Sequence, residues 1–371
     1  MEWYELKDSS KVESPSLLVY PDRIKYNAEL MLKIAKDPSR LRPHIKTHKM
    51  AEIIEIQLKL GVSKFKCATL SEAALLGKCG AKDILLAMQP VGIQIEKFLS
   101  LANDYPNSVF STLVDNELSA TEISKQALAR KQNANIWIDI NNGMNRTGIS
   151  PDNKALALYK LLLSHPGLNL KGLHVYDGHI HTSEINDREN ECDKAFLAVQ
   201  LLSQKLVALK FTKPLIIAGG TPTFPIHEKR TGVELSPGTP LLWDHGYGTN
   251  YQDLKFLPAA VLLTKIISKP GPNLLCFDLG HKSVASEMKL PRVHFLGNRD
   301  SFTQISQSEE HLVVECKDNS TYKIGDAYYA VPIHICPTVA KFPYVFSIKN
   351  HEITDKWQVT ARDHYLKQNL S

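Results

Sequence analysis

Between residues 40 and 240, short apolar runs alternate with amphipathic stretches at the spacing of βα units, and no other feature restricts the possible folds as far. Eight runs qualify as strands, at 42–47, 65–69, 84–88, 109–114, 136–140, 171–176, 215–218 and 233–235, with helical patterns such as 116–130 and 188–210 between them. Eight strands, each followed by a helix, predict a (β/α)8 TIM barrel. A doubly wound open sheet is the competing fold, and its glycine-rich dinucleotide fingerprint is missing from the first βα turn. After Pro258 the pattern changes to strand-like runs punctuated by Gly, Pro and Asn, at 259–267, 274–279, 311–316 and 327–335, which predicts a C-terminal all-β domain. The expected division is a barrel over 18–255 and a β domain over 256–371, with residues 1–17 packing with the β domain.

A chain of 371 residues is large enough for two cores, and 43% hydrophobic with 22% charged residues is ordinary for a globular protein. The net charge of +5 is spread without a basic run or an aromatic platform, which argues against nucleic acid and suits an anionic cofactor or substrate. Six cysteines, at 67, 79, 192, 276, 316 and 336, form no close pair. That pattern disfavours a disulfide scaffold and a four-cysteine zinc site, and fits a reducing compartment. The first residues, Met1-Glu-Trp-Tyr-Glu-Leu-Lys-Asp, hold no apolar leader, and no apolar run approaches the ~20 residues of a membrane span. The expectation is a cytoplasmic protein with no membrane partner.

Barrel enzymes carry their catalytic side chains at the C-terminal ends of the strands. Arg42-Pro-His-Ile-Lys46-Thr-His-Lys49 puts Lys46 there on the first strand, and period-two alternation would turn His44, Lys46 and His48 to one side. A lysine fixed and partly desolvated at that place can form a Schiff base; among 44 Lys and Arg residues it can also be a solvated cation. Gly219-Gly220-Thr221-Pro-Thr and Ser236-Pro-Gly238-Thr239 follow the seventh and eighth strands, where barrels commonly bind phosphate, although either alone reads as a turn. After the fifth strand, Arg146 is either a ligand-binding guanidinium or a structural one bonding loop carbonyls. Tyr176-Asp-Gly-His179-Ile-His181 ends the sixth strand with a ring and two imidazoles, which either move protons or simply hydrogen-bond and face solvent. His334-Ile-Cys336 falls on a predicted strand, so the imidazole and sulfur would share a face. They would be two ligands of a divalent ion with open positions left, or a half-buried β pair.

Together these segments resemble the D-threonine aldolase and D-serine dehydratase family of pyridoxal phosphate enzymes, whose barrel is of the alanine racemase N-terminal kind, and the resemblance covers nearly the whole chain. The family's Arg-Pro-His-x-Lys-x-His-Lys implies Lys46 as the Schiff-base lysine. Ile138-Asp-Ile-Asn-Asn-Gly143-Met-Asn-Arg146-Thr-Gly148 is similar to a racemase segment whose arginine meets the phenolic oxygen of the cofactor, which implies that role for Arg146; the usual Asp-x-Gly reads Asn-Asn-Gly here. Tyr176 would face the cofactor ring, and Gly220, Thr221, Gly238 and Thr239 its phosphate. His179 and His181 would be the proton carriers. Followed by Pro337-Thr, His334 and Cys336 resemble a pair that holds a divalent metal (Zn, Mn or Mg) near the cofactor. Racemases place an arginine against the pyridine nitrogen where this chain has Ser236, and a nonpositive partner makes a milder electron sink. Asp278-Leu-Gly-His-Lys-Ser resembles a family segment with no role implied.

The resemblance implies a lyase for D-amino acids bearing a β-hydroxyl. One outcome is retro-aldol cleavage to glycine and an aldehyde, toward which Tyr-Asp-Gly-His tips the reading. The other is dehydration of D-serine or D-3-hydroxyaspartate to a 2-oxo acid and ammonia, which the same residues could serve. An amino-acid racemase would need no metal, and noncatalytic cofactor carriers built on a lone barrel lack a β domain. Related barrels with a β domain are dimers, so a homodimer with a small D-amino acid substrate is expected.

Overall fold

The computed structural model describes residues 1–297 and 302–366; residues 298–301 and 367–371, within the expected 256–371 region, lie outside the described residues. The first strand, β1 (Ser16–Val19), does not join the parallel sheet. That sheet is made of β2 (Lys64–Cys67), β3 (Asp83–Leu86), β4 (Val109–Val114), β5 (Ala134–Ile140), β6 (Leu168–Val175), β7 (Leu215–Ala218) and β8 (Val233–Leu235), seven strands neighbouring one another in chain order. Three of the helices between them start on side-chain caps: Thr69 accepts from Glu72 N–H, Asn116 from Ser119 N–H and Asp152 from Lys154 N–H.

Segment 41–44 stands where the first of the eight expected strands should be. Arg42 N–H donates to Leu235 O and His44 N–H to Pro237 O on one side, while Pro43 O accepts from Lys66 N–H on the other. The segment thus bridges β8 to β2 through single parallel bridges at Leu41 and His44, and the sheet closes as a TIM-type barrel. It is not the six-residue strand expected over 42–47, because Pro43 has no N–H to donate and His44 Nδ1 accepts the Lys46 N–H at 3.1 Å. The backbone turns instead into a 3-10 helix at Ile45–Thr47. Inside the barrel Leu85, Leu113, Trp137 and Ile217 bury against one another, each worth roughly 2 kcal/mol of apolar burial. Arg42, fully buried, pairs with Asp83 at 2.8 Å and Glu234 at 2.7 Å near the strand starts.

Among the described residues the second sheet has nine strands. Around β1 it assembles β9 (Ala260–Gly271), β10 (Leu274–Phe277), β11 (Val293–Phe295), β12 (Thr303–Gln307), β13 (Leu312–Glu315), β14 (Ala327–Pro332), β15 (Tyr344–Lys349) and β16 (Glu352–Gln358). β1 runs antiparallel to β9 and parallel to β15. Tyr4, Leu6 and Val12 join Leu18, Val261, Leu263, Tyr329, Val331 and Ile348 in its core. The described residues divide into two compact units: 1–30, 47–53 and 239–362 form the one with this sheet, and 31–46, 54–238 and 363–366 the barrel unit. No helix among the described residues is long and apolar enough to cross a membrane.

Candidate active site

At the barrel mouth Lys46 sits half-buried in its 3-10 turn, two residues beyond the end of the bridging segment. The expected alternation of His44, Lys46 and His48 does not occur, because the turn abolishes the period of two. On the neighbouring strand Lys66 is 3% exposed, makes no hydrogen bond through Nζ among the described residues, and stands 5.6 Å from the centroid of the Tyr176 ring. Burial, reinforced by the charge of Lys46, brings its pKa down to about 7. Arg146 lies 5.0 Å from the same centroid and has no carboxylate partner among the described residues. Two basic side chains therefore lie close to one aromatic ring. The ring is held by close approach: a Cβ on Gly178 would fall 2.3 Å from Tyr176 Cε1, so only glycine fits that turn.

The loop that carries Arg146 is set by carboxylates. Asp139 Oδ2 accepts from Thr147 Oγ1 at 2.7 Å and from Gln89 Nε2 at 3.0 Å, and Asp115 Oδ2 accepts the Gly148 N–H at 3.0 Å. Asp139 Oδ1 pairs with His174 Nδ1 at 2.7 Å. Burial alone would raise the Asp139 pKa, but His174, Thr147 and Gln89 together hold it below the usual range. Burial pushes the His174 pKa down, so the ring is neutral with Nδ1–H toward Asp139, and its Nε2 is buried without a partner. His179 is half-buried with Nδ1 unpartnered, over Gly143; His181 is exposed.

After β7 and β8 the glycine N–H groups are already bonded, Gly219 to Val175 O, Gly220 to Thr223 Oγ1 and Gly238 to Thr221 Oγ1. The last bond ties the two loops together. Ser236 Oγ donates to Arg42 O. Basic side chains without a carboxylate partner among the described residues and an orphaned imidazole nitrogen fit an anionic aromatic cofactor such as pyridoxal phosphate.

Behind Tyr176 lies a cluster the sequence reading did not single out. Asp177, Cys192 and His227 are buried, with one potential ligand atom each within 4.8 Å of the others. Asp177 Oδ1 accepts from Thr223 Oγ1 at 2.8 Å and Oδ2 pairs with His227 Nε2 at 2.8 Å. Arg230 Nη1, which can only donate, points at His227 Nδ1 at 3.1 Å. The imidazole must therefore carry its proton on Nε2, facing Asp177. Burial pushes the Cys192 thiol up to about 12, so it stays protonated. Every ligand atom is thus blocked by a proton or a donor, and the trio reads as a hydrogen-bonded knot in preference to a metal centre.

In the other unit His334-Ile-Cys336 is not on a strand. β14 stops at Pro332, and Ile335–Val339 is a short helix with His334 at its N-cap. The helix forms because Asp244 Oδ2 accepts the Ile335 N–H at 3.0 Å, a capping bond from a distant segment, and because Pro337 is tolerated in a first turn. His334 and Cys336 are nonetheless brought together, and their side chains hydrogen-bond. Thr47 Oγ1, next in the chain after Lys46, lies 3.1 Å from Cys336 Sγ, and Thr239 Oγ1 lies 3.8 Å from it. His334 Nδ1 is 2.5 Å from Glu287 Oε1. Burial disfavours the charged ring, but Cys336 and Glu287 outweigh it and raise the His334 pKa to about 9. An imidazole and a thiol in surroundings that favour a cation fit a Zn²⁺-like ion.

Lys66, the His174–Asp139 pair, Asp244 and Glu287 were not anticipated. Lys66 had a signal, the polar-apolar alternation of Lys64-Phe-Lys66-Cys one strand after Lys46; the others depend on contacts far apart in sequence.

Residues 19–242 match the family described as alanine racemase, N-terminal domain, and residues 259–348 match the putative serine dehydratase domain. The chain is 28% identical to a D-threonine aldolase of Arthrobacter sp., over 95% of this chain and 93% of that protein. It is 27% identical to a 3-hydroxy-D-aspartate aldolase of Paracoccus denitrificans (strain Pd 1222), over 96% and 93%. The crystal structure of D-threonine aldolase from Filomicrobium marinum superposes with a TM-score of 0.87 at 25% identity, covering 95% of this chain and 96% of that one.

Proposed function

Because the chain belongs to the alanine racemase N-terminal domain family, we propose that it is a pyridoxal phosphate- and divalent-metal-dependent lyase that cleaves D-β-hydroxy amino acids to glycine and an aldehyde. Similarity to aldolases over almost the full chain supports the reaction class. The observation that carries the assignment of residues is the contact of Thr47, the residue after Lys46, with Cys336 Sγ. It supports His334 and Cys336 as a metal pair with a hydroxyl close to the thiol.

When bound, pyridoxal phosphate supplies an electron sink for the pair left at Cα, and a divalent ion lowers the pKa of the substrate β-hydroxyl. Lys46 holds the cofactor and returns a proton to Cα once the Cα–Cβ bond has broken. His179, with its orphaned Nδ1, takes the β-hydroxyl proton; exposed His181 relays it to solvent. Arg146 and Lys66, both close to the Tyr176 ring, would neutralise negative charge on the cofactor. The loops with Gly220, Thr221, Gly238 and Thr239 receive the phosphate. His334 and Cys336 hold the ion, which Zn, Mn and Mg can each be tested for. The reading includes a cytoplasmic homodimer.

A second reading, dehydration to a 2-oxo acid and ammonia, is favoured by the match of residues 259–348 to a serine dehydratase domain. Incubating the purified protein with D-threonine and D-serine separates the two. Glycine and acetaldehyde from D-threonine are expected; ammonia without either product would reject the aldolase. Activity indifferent to chelation would reject the metal.

A further inference from the structure

The segment that starts at Asp278 ends beside His334, and its bonds explain why. Asp278 Oδ1 accepts from Thr264 Oγ1 at 2.6 Å and from Lys265 N–H at 2.8 Å, and Oδ2 accepts from Ser14 Oγ. This fastens the segment to β9. At Gly280 a Cβ would fall 2.0 Å from Glu309 O, so the chain passes only as glycine and then turns, with Ser283 and Val284 N–H donating to Gly280 O. Ala285 N–H donates to Thr338 Oγ1 at 3.1 Å, and that hydroxyl donates to His334 O at 2.8 Å. The run of residues 278–285 therefore holds the Thr338 end of the His334–Thr338 turn, and Thr338 in turn closes back on His334 O. Two residues on, Glu287 Oε1 meets His334 Nδ1 at 2.5 Å.

We propose that Glu287 is a positioning residue for the metal: its carboxylate keeps the His334 proton on Nδ1 and so presents Nε2 as the nitrogen that binds the ion. The inference rests on the reading of His334 and Cys336 as metal ligands. A carboxylate behind a ligating imidazole fixes its tautomer and orientation and raises its basicity, and the loss of such a partner typically weakens metal binding about 10–100-fold. The two alternatives make different predictions. As a third ligand, Glu287 would leave the ion's coordination changed when replaced. As a plain surface ion pair, it would leave metal affinity untouched.

The test is competition for Zn²⁺ against a chromophoric chelator, on metal-stripped enzyme that retains its organic cofactor, with Co²⁺ absorption as a second readout. Glu287→Ala is expected to weaken Zn²⁺ by about 10–100-fold, and Glu287→Gln, whose amide oxygen still accepts from Nδ1–H but carries no charge, by less. Both should retain the wild-type Co²⁺ thiolate band, the visible absorbance of the bound cofactor and the melting temperature. Unchanged Zn²⁺ affinity in Glu287→Ala would overturn the inference alone, as would an altered Co²⁺ spectrum. If the wild type binds no Zn²⁺, or His334→Ala binds it equally well, the metal reading itself fails and this inference with it.

Discussion

Each unit holds a cluster built from a carboxylate, an imidazole and a thiol, and the two clusters are in opposite states. In the barrel unit, Asp177, Cys192 and His227 are all buried; Arg230 donates to one imidazole nitrogen and Asp177 faces the other. In the sheet unit, the His334 side chain is 37% exposed, one nitrogen is directed to Glu287, and Cys336 and Glu287 raise the pKa of the ring. Proximity of ligand-type atoms is common to both. What distinguishes a metal site is a lone pair that internal donors have left available, with a carboxylate behind the imidazole and not in front of it. Compactness, taken alone, selects the wrong cluster.

The largest effect should separate them. His334→Ala and Cys336→Ala are each expected to lower metal-dependent turnover by about a thousandfold, given the several kcal/mol a Lewis acid contributes, and to abolish stoichiometric metal in elemental analysis. Asp177→Asn should leave metal content alone and instead cost about 3 kcal/mol of stability in urea titrations, because a buried donor is left facing the new amide. Metal lost from Asp177→Asn with the fold intact would reverse the assignment.

The same contrast governs what could be read from the sequence. The barrel was legible because parallel strands buried on both faces are continuous apolar runs: 109–114 and 215–218 coincide with β4 and β7, and the 116–130 helix pattern with Glu117–Ala129. Reactive segments broke the rule twice, and for one reason. At 42–48 and 327–336 the strand pattern ran into a proline and a side chain that captures a backbone N–H, His44 for Lys46 and Asp244 for Ile335. The first capture is local and visible in the sequence; the second comes from 91 residues away and is not. Period-two reasoning therefore gave the wrong geometry for Lys46 and for His334 and Cys336. Lys66 escaped notice because a buried lysine looks, in sequence, like any other strand lysine.

A third histidine sharpens the rule. His48 is fully buried, its Nδ1 accepts the Met50 N–H at 3.2 Å and its Nε2 has no partner among the described residues, yet no thiol or carboxylate is recorded at that nitrogen. Burial depresses its pKa from 6.5 to about 3. Between those values the unfolded chain binds a proton that the folded chain does not, so stability rises with pH across the window and falls toward acid, by up to about 1.4 kcal/mol per pH unit from this residue. Urea midpoints measured from pH 6.5 down to 4.5 should fall more steeply in the wild type than in His48→Gln. Equal slopes would mean that the ring finds a partner and is not the orphan described.

The smallest effect is the most discriminating. Cys192 Sγ lies 3.3 Å from His227 Nε2 and 3.8 Å from Asp177 Oδ2, near enough for a ligand, yet with the pKa of its thiol raised to about 12 the trio has no thiolate to offer. Cys192→Ala removes only a buried sulfur and a weak S–H donor, which should cost about 1 kcal/mol and leave metal content, Zn²⁺ affinity and turnover at wild-type values. A neutral knot tolerates this loss because Asp177 keeps its bonds to Thr223 and His227. A metal centre would not tolerate it, since removing one of three protein ligands opens the coordination sphere. Elemental analysis of Cys192→Ala beside Cys336→Ala therefore compares one atom with the same atom in two settings, and equal metal loss from both would erase the distinction drawn between the clusters.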